Sequence, residues 1–279
     1  MLEQPLLGLQ VVNLSVNLPG PVAAARLHFM GAQVVKVEPP GGDPLAMFHP
    51  AWYQALSAGQ TILSLNLKEA IDRNRLAELL SESDLLLTAT RPAALARLSL
   101  DWESLHARFP NLCQVAITGY PSPEERRPGH DLNYQGSCGL VAPPAMPLSL
   151  LADLAGAEQA ASTALALLLG RERGRGSGYA PVSLAQAAAD LAQPLRYGLT
   201  VSGGLLGGGF PGYALYPACQ GWIAVGTLEP HFYRKLLAEL GVSEAKAAEA
   251  LPRVFLEHTA EEWEAWALER DLPITVVRT

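Results

Sequence analysis

The stretch "LQVVNLSVNLPGPVAAARLHFMGAQVVKVEPP", residues 9–40, decides the fold class. Its opening, "LQVVNLS" (9–15), is short, apolar and β-branched, and predicts a strand. "LPGP" then turns the chain. Pro21 suits the first turn of a helix, and Gly31 suits the end of "VAAARLHFMGA". "AQVVKVEPP" (32–40) predicts a second strand. A strand, a Gly/Pro turn, a helix and a strand within about 30 residues make a βαβ unit. Such units imply a parallel sheet with helices on its faces.

The pattern repeats outward from this unit. "TILSLNL" (61–67) predicts a strand, "KEAIDRNRLAELLSES" (68–83) an amphipathic helix and "DLLLTAT" (84–90) a buried strand. "RPAALARLSL" (91–100) opens a helix, and "PNLCQVAITGY" (110–120) is a further strand. The first turn, "NLPGP", lacks the G-x-G-x-x-G dinucleotide fingerprint. Residues 150–169 are apolar and alanine-rich, which predicts a buried helix, and another follows near 183–200. "SGGLLGGGF" (202–210) reads as a mobile linker. The expected organisation is therefore a Rossmann-like α/β large domain over 1–200 and a smaller α+β domain over 201–279. In the smaller domain, "YALYPACQGWIAVGT" (213–227) predicts a hairpin about "CQG". A helix opens at Glu229 or Pro230. Thr259 and Glu262 have capping-box spacing.

Composition bounds the function. The chain has 279 residues, 49% hydrophobic and 17% charged, with a net charge of −7. It is globular rather than disordered, and the acidic balance argues against a nucleic-acid partner. Its 3 cysteines, Cys113, Cys138 and Cys219, show no disulfide or zinc spacing, and their apolar neighbours suggest small core residues. No metal is expected. The N-terminus has no basic region or cleavage pattern, and no uncharged apolar run reaches the ~18 residues of a membrane helix. A cytoplasmic protein with no membrane partner is the expectation.

Chemistry shows first in "RRPGHDLNYQGSCGL" (126–140). His130 and Asp131 stand side by side just before a helical pattern. Asp131 suits a helix cap, but a cap does not require His130. Asp153, in "ADLAGA" (152–157), would on its own read as the cap of the helix that follows.

Nine segments, in order, resemble the class III coenzyme A transferases (CaiB/BaiF type), a family that includes α-methylacyl-CoA racemases and formyl-CoA transferases. They include "GAQVVKVEPPGGDP" (31–44), "LSLNLK" (63–68), "RPAALARLSL" (91–100), "GHDLNY" (129–134), "ADLAGA" (152–157) and "AVGTLEPHFY" (224–233). The resemblance implies an acyl-CoA thioester as substrate and a homodimer. In racemases of the family, the His and Asp of these motifs flank the acyl α-carbon; here they are His130 and Asp153, with Glu229 tuning or orienting His130. Asp131 is then a cap, an orienting residue or a proton partner. Two acid/base groups on opposite faces can remove and replace a thioester α-proton. In transferases the same Asp is a nucleophile that forms an aspartyl-CoA intermediate, shielded by a glycine loop, here Gly207 to Gly209. The racemase reading is the leading one, transfer of CoA between carboxylic acids is the alternative, and a non-catalytic CoA-binding relative is a third. For coenzyme A itself, the resemblance implies Leu18 and Pro19 at the adenine end, Leu65 and Lys68 beside the nucleotide, and Arg91 and Arg97 at the phosphates. Lys36, Arg126 and Arg127 are further basic candidates.

The sequence also departs from the family. Asn13 stands where relatives carry Asp, "SAGQ" (57–60) replaces Asn-Arg-Gly-Lys, and Pro181 occupies an Asp position. Ala89 and Thr90 replace two familiar residues ahead of Arg91. Relatives continue past the position of Thr279, so the expectation for this chain is a single linker, near 196–210, and a loosely tethered small domain.

Overall fold

The computed structural model describes residues 4–278, which separate into two compact units, 1–192 and 193–279. In the first, β1 (Gln10–Asn13), α1 (Pro19–Phe29) and β2 (Gln33–Glu38) form the expected βαβ unit. They are followed by α2 (Pro44–Phe48), α3 (Pro50–Ser57), β3 (Thr61–Ser64), α4 (Ala70–Ser81), β4 (Leu85–Thr88), α5 (Pro92–Arg97), α6 (Trp102–Arg108), β5 (Cys113–Thr118), α7 (Asp131–Ser137), α8 (Leu151–Gly170), β6 (Tyr179–Ser183) and α9 (Leu184–Leu191).

The sheet is wholly parallel, in the order β3-β2-β1-β4-β5-β6. That is the doubly wound order, with its reversal between β1 and β4. The central strands β1, β4 and β5 alternate between two buried faces. Val11, Leu85, Leu87, Cys113, Val115 and Ile117 meet α1 and α8 on one side. Val12, Val37 and Leu86 meet the leucines of α4, α5 and α6 on the other. The alanines of α8 (Ala152, Ala157, Ala160 and Ala164) are fully covered in the first of these cores. Small side chains there let α8 lie close to the sheet and α1.

β6 was not expected. Its sequence, "YAPVS", carries Pro181, and it forms the sheet edge beside β5. An edge strand tolerates a proline because one row of its N–H groups has no ladder partner. Two helices, α2 and α3, were also missed. Each is short and opens on a proline, with Asp43 capping α2 through Leu45 N–H.

The second unit holds α10 (Gln193–Arg196), β7 (Tyr213–Pro217), β8 (Trp222–Gly226), α11 (Pro230–Glu239), α12 (Ala247–Val254), α13 (Ala260–Glu269) and β9 (Ile274–Val276). Its antiparallel sheet, β7-β8-β9, contains the expected hairpin plus a third strand. Thr259 and Glu262 form the capping box at α13. Ile223, Val225, Leu236, Leu251, Phe255 and Trp263 form this unit's own core.

The glycines at 203–209 do not behave as linker glycines. The segment folds on itself through hydrogen bonds such as Leu206 N–H to Leu199 O and Gly209 N–H to Gly204 O, both 2.9 Å. A Cβ on Gly207 would lie 1.8 Å from Val201 O, so backbone proximity, not looseness, demands glycine. The cysteines also depart from expectation. Cys113 is buried, but Cys138 is half-buried and Cys219 exposed. Among the described residues no helix is long and apolar enough to cross a membrane, and no group of three or more His, Cys, Asp or Glu could hold a metal ion.

Candidate active site

Two cavities open at the carboxyl ends of the parallel strands, on either side of the β1/β4 reversal. That is where doubly wound sheets present their ligand sites. The smaller, about 220 Å³, is lined by Asn17 and Pro19 from the β1–α1 turn, Ala89 and Arg91 after β4, Thr118 at the end of β5, and His130, Tyr134 and Asp153. The larger, about 750 Å³, is lined by Glu38, Pro39 and Pro40 after β2, Leu65 and Lys68 after β3, and Arg97 on α5. Val16, just past β1, borders both. Sequence positions spread over 17–184 thus converge because every strand points the same way.

His130 is exposed and occupies the N-cap position of α7; its N–H donates to Asn133 Oδ1 at 3.0 Å. The helix therefore starts one residue earlier than the capping preference of Asp suggested. Asp131 is not the cap but the first helical residue, 4% exposed. Its carboxylate accepts the N–H of Asp153 at 3.0 Å on Oδ1, and the side-chain amide of Gln135 on Oδ2. Gln135 also reaches Ser149 O at 2.9 Å. These bonds tie α7 to the first turn of α8, and Asp131 does not line the cavity.

Asp153 is the third helical residue of α8 rather than its cap, which is Leu150. Its carboxyl is pushed up to about 6, mainly by burial and secondarily by the charge of Asp131. Tyr134 lies beside it, and its hydroxyl is pushed up to about 12, first by burial and then by Tyr120, Asp153 and Asp131. The Tyr134 ring sits edge-on to Tyr120, with centroids 5.1 Å apart. It fits because a Cβ on Gly119 would come within 2.4 Å of its hydroxyl and one on Gly129 within 2.7 Å of its ring. The two glycines of "ITGY" and "PGH" thus make the seat for this ring. Arg127 stacks over Tyr120 at 4.4 Å and also faces the small cavity.

The remaining sequence candidates divide. Pro19 and Arg91 share the small cavity with His130 and Asp153, whereas Leu65, Lys68 and Arg97 share the large one. Leu18 is 5% exposed and packs into the core. Glu229, exposed and at the N-cap position of α11, belongs to the second unit. Lys36 is unavailable to a phosphate: it is 1% exposed and its ammonium lies between Glu38 and Asp43. Sequence reasoning missed Tyr134, although it stands inside the quoted "GHDLNY". It also missed Thr118, which is 8% exposed and has a hydroxyl without a hydrogen-bond partner in the structure.

The profile of the CoA-transferase family III matches residues 6–279. The chain belongs to CoA-transferase family III. It is 30% identical to the human alpha-methylacyl-CoA racemase across 92% of this chain and 73% of that protein. It is 35% identical to the cinnamoyl-CoA:phenyllactate CoA-transferase of Clostridium sporogenes, across 44% of this chain and 33% of that one. A crystal structure of a hypothetical protein from Mycobacterium tuberculosis superposes with a TM-score of 0.85 at 25% identity, covering 99% of this chain and 84% of that one. A CaiB/BaiF family protein from Brucella suis shares the fold, with a TM-score of 0.83 at 22% identity. The class III transferase fold and family expected from the motifs are therefore shown.

Proposed function

We propose that this family III protein is an enzyme that moves the α-proton of an acyl-CoA thioester from one face of the carbon to the other. The observation that carries this reading is the pairing of His130 with a half-buried Asp153, raised to about 6, around one cavity. A carboxyl tuned towards neutrality serves both as base and as acid. With Asp153 ionised and His130 protonated, the carboxylate takes the α-proton and the thioester becomes an enolate. His130 then delivers its proton to the opposite face. The reverse direction begins from protonated Asp153 and neutral His130. The large cavity supports the coenzyme A end: Lys68 and Arg97 are exposed cations on its wall, and its volume of about 750 Å³ suits a nucleotide. Arg91 lies on the small-cavity side, where it would meet a phosphate running between the two.

The test is incubation with a 2-methylacyl-CoA in deuterated water. Deuterium at the α-carbon with loss of optical activity is the expected result. Absence of exchange, together with CoA moving to a second carboxylate and a covalent adduct on Asp153, would replace this reading with CoA transfer. Asp153 suits that chemistry as nucleophile, and the similarity to a CoA-transferase along part of the chain favours keeping it as the second reading. We also propose a homodimer, tested by light scattering. Its interface is not the alanine stripe of α8, which the sheet and α1 already cover.

A further inference from the structure

A cluster of buried charges lies beneath the site and takes no part in the proton transfer. Lys36, on β2, contacts Glu38 Oε1 at 2.7 Å and also Asp43 Oδ2. The hydroxyl of Tyr53 donates to the same Glu38 oxygen at 2.8 Å, and the Lys36 ammonium is 4.6 Å from the Tyr53 ring centre. Lys36 and Asp43 are each 1% exposed and Glu38 7%. Burying charges is costly unless every partner is in place, so a cluster of this kind is a weak source of stability and a strong source of geometry.

The geometry it sets is specific. Asp43 Oδ1 accepts two backbone N–H groups, Leu45 at the start of α2 and Asn17 in the β1–α1 turn, both at 2.9 Å. Asn17 holds the left-handed conformation, φ 65°, which asparagine adopts more readily than most residues, and the bond to Asp43 fixes its N–H there. Asn17 lines the small cavity with His130 and Asp153, whereas Glu38 lines the large one opposite Lys68 and Arg97. One carboxylate thus grips a wall of each cavity, the first directly and the second through Lys36. Lys36 offsets part of the negative charge of the two carboxylates, and the Tyr53 hydroxyl donates to Glu38, which lessens its repulsion of an anionic ligand in the large cavity.

We propose that Asp43 is a positioning residue that fixes the separation of the two cavities, so that a ligand spanning both meets a preorganised site. The proposal rests on the acyl-CoA reading. It places the effect of Asp43 on affinity rather than on the chemical step, because ordering the Asn17 turn would otherwise be charged against binding.

The experiment compares full-length wild type, Asp43→Ala, Asp43→Asn and Tyr53→Phe. It measures coenzyme A affinity by calorimetry, kcat and KM for α-proton exchange, and hydrogen exchange of the Asn17 amide by NMR. Asp43→Ala is expected to weaken coenzyme A binding and raise KM by about tenfold, the scale of one lost buried hydrogen bond, with kcat nearly unchanged and Asn17 exchanging faster. Asp43→Asn, which keeps an oxygen for the two amides but loses the Lys36 ion pair, should show a smaller loss of affinity, and it carries the test if the alanine variant does not fold. Tyr53→Phe leaves the Asn17 bond intact and should leave Asn17 protection unchanged. Wild-type affinity in a folded Asp43 variant, or unaltered Asn17 exchange in Asp43→Ala, overturns the proposal. If wild type itself does not bind coenzyme A, the acyl-CoA reading fails and this proposal falls with it. Binding by wild type and variants alike removes the clamp alone.

Discussion

The backbone N–H of Asp153 donates to Oδ1 of Asp131 at 3.0 Å, so one carboxylate holds the helix that carries the other. Asp131 thereby does two things to its neighbour. It fixes where the Asp153 side chain starts, and its charge helps keep the Asp153 carboxyl protonated to higher pH.

Asp153 should weaken the fold at neutral pH. Its carboxyl rises from 3.8 to about 6 on folding, so the folded state holds a proton that the unfolded chain releases. Stability is therefore lost as pH climbs through that window, and none of the cost remains well below it. Asp153→Asn should unfold at a higher temperature than wild type at about pH 8, by an amount equivalent to at most about 3 kcal/mol, with the gap closing near pH 4. The same variant should have no exchange or transfer activity. Thermal scans at the two pH values check the first part. An active variant would remove Asp153 from the site.

His130 separates the two chemistries. Racemisation needs a second proton carrier, whereas acyl transfer through Asp153 does not. His130→Ala should stop α-proton exchange, by a factor of about 10² or more. If exchange continues unchanged while CoA transfer is measurable, the transferase reading takes over. Because His130 is exposed and its bond to Asn133 is made by the backbone N–H, which alanine keeps, the variant should fold normally.

The charge of Asp131 should be visible in the pH profile. With Asp153 as base, exchange rises as pH passes about 6. Asp131→Asn keeps an oxygen for the Asp153 N–H but removes the negative charge, so the rise should move to lower pH. The displacement should be partial, because burial is the larger cause. Asp131→Ala leaves the Asp153 N–H without its acceptor and Gln135 with Ser149 O alone, and should cost about 1–3 kcal/mol of stability. An unmoved profile in Asp131→Asn would show that Asp153 does not set the titration.

The departure at Asn13 has a local reading. Its Oδ1 accepts both the N–H of Ser15, at 2.9 Å, and the Ser15 hydroxyl, while its Nδ2 is buried without a partner. The position is used only as an acceptor, which is what the family's Asp supplies. Asn13→Asp should therefore fold and be more stable than Asn13→Ala, which abandons two donors at about 1 kcal/mol or more. Denaturant midpoints of the two variants decide it.

The β1–α1–β2 unit was legible because both strands are short valine-rich runs set off by a Gly/Pro turn and a helical pattern, even though β2 carries Lys36 and Glu38. The sequence hid β6 for the opposite reason. An edge strand needs few apolar residues and accepts proline, so "YAPVS" resembles a loop. Asp131 was misplaced because capping preference is statistical, whereas here the Asn133 side chain serves the N–H of His130 and fixes the helix start. Lys36 reads from the sequence as a further basic candidate for coenzyme A, whereas it is buried between two carboxylates. The usable signal was its i, i+2 spacing to Glu38, which puts both on one face of a strand expected to be buried. His130 and Asp153 became visible through resemblance to relatives; neither periodicity nor spacing separates them from ordinary polar residues.

The late return of β6 to the sheet sets the order in which the site comes into being. β5 ends at Thr118, but its outer partner lies at Tyr179–Ser183, with α7 and the whole of α8 between them. Contacts this distant in the chain close slowly, and synthesis proceeds from the N-terminus. The larger cavity has all of its lining residues once Leu100 has emerged, whereas α8, which lies on β5 and α1, gains the rest of its covering from β6 and α9 only beyond residue 178. A nascent chain thus holds the lining of the larger cavity well before it holds the outer cover of the helix that carries Asp153, and the smaller cavity, whose lining runs to Leu184, is finished only after the sixth strand.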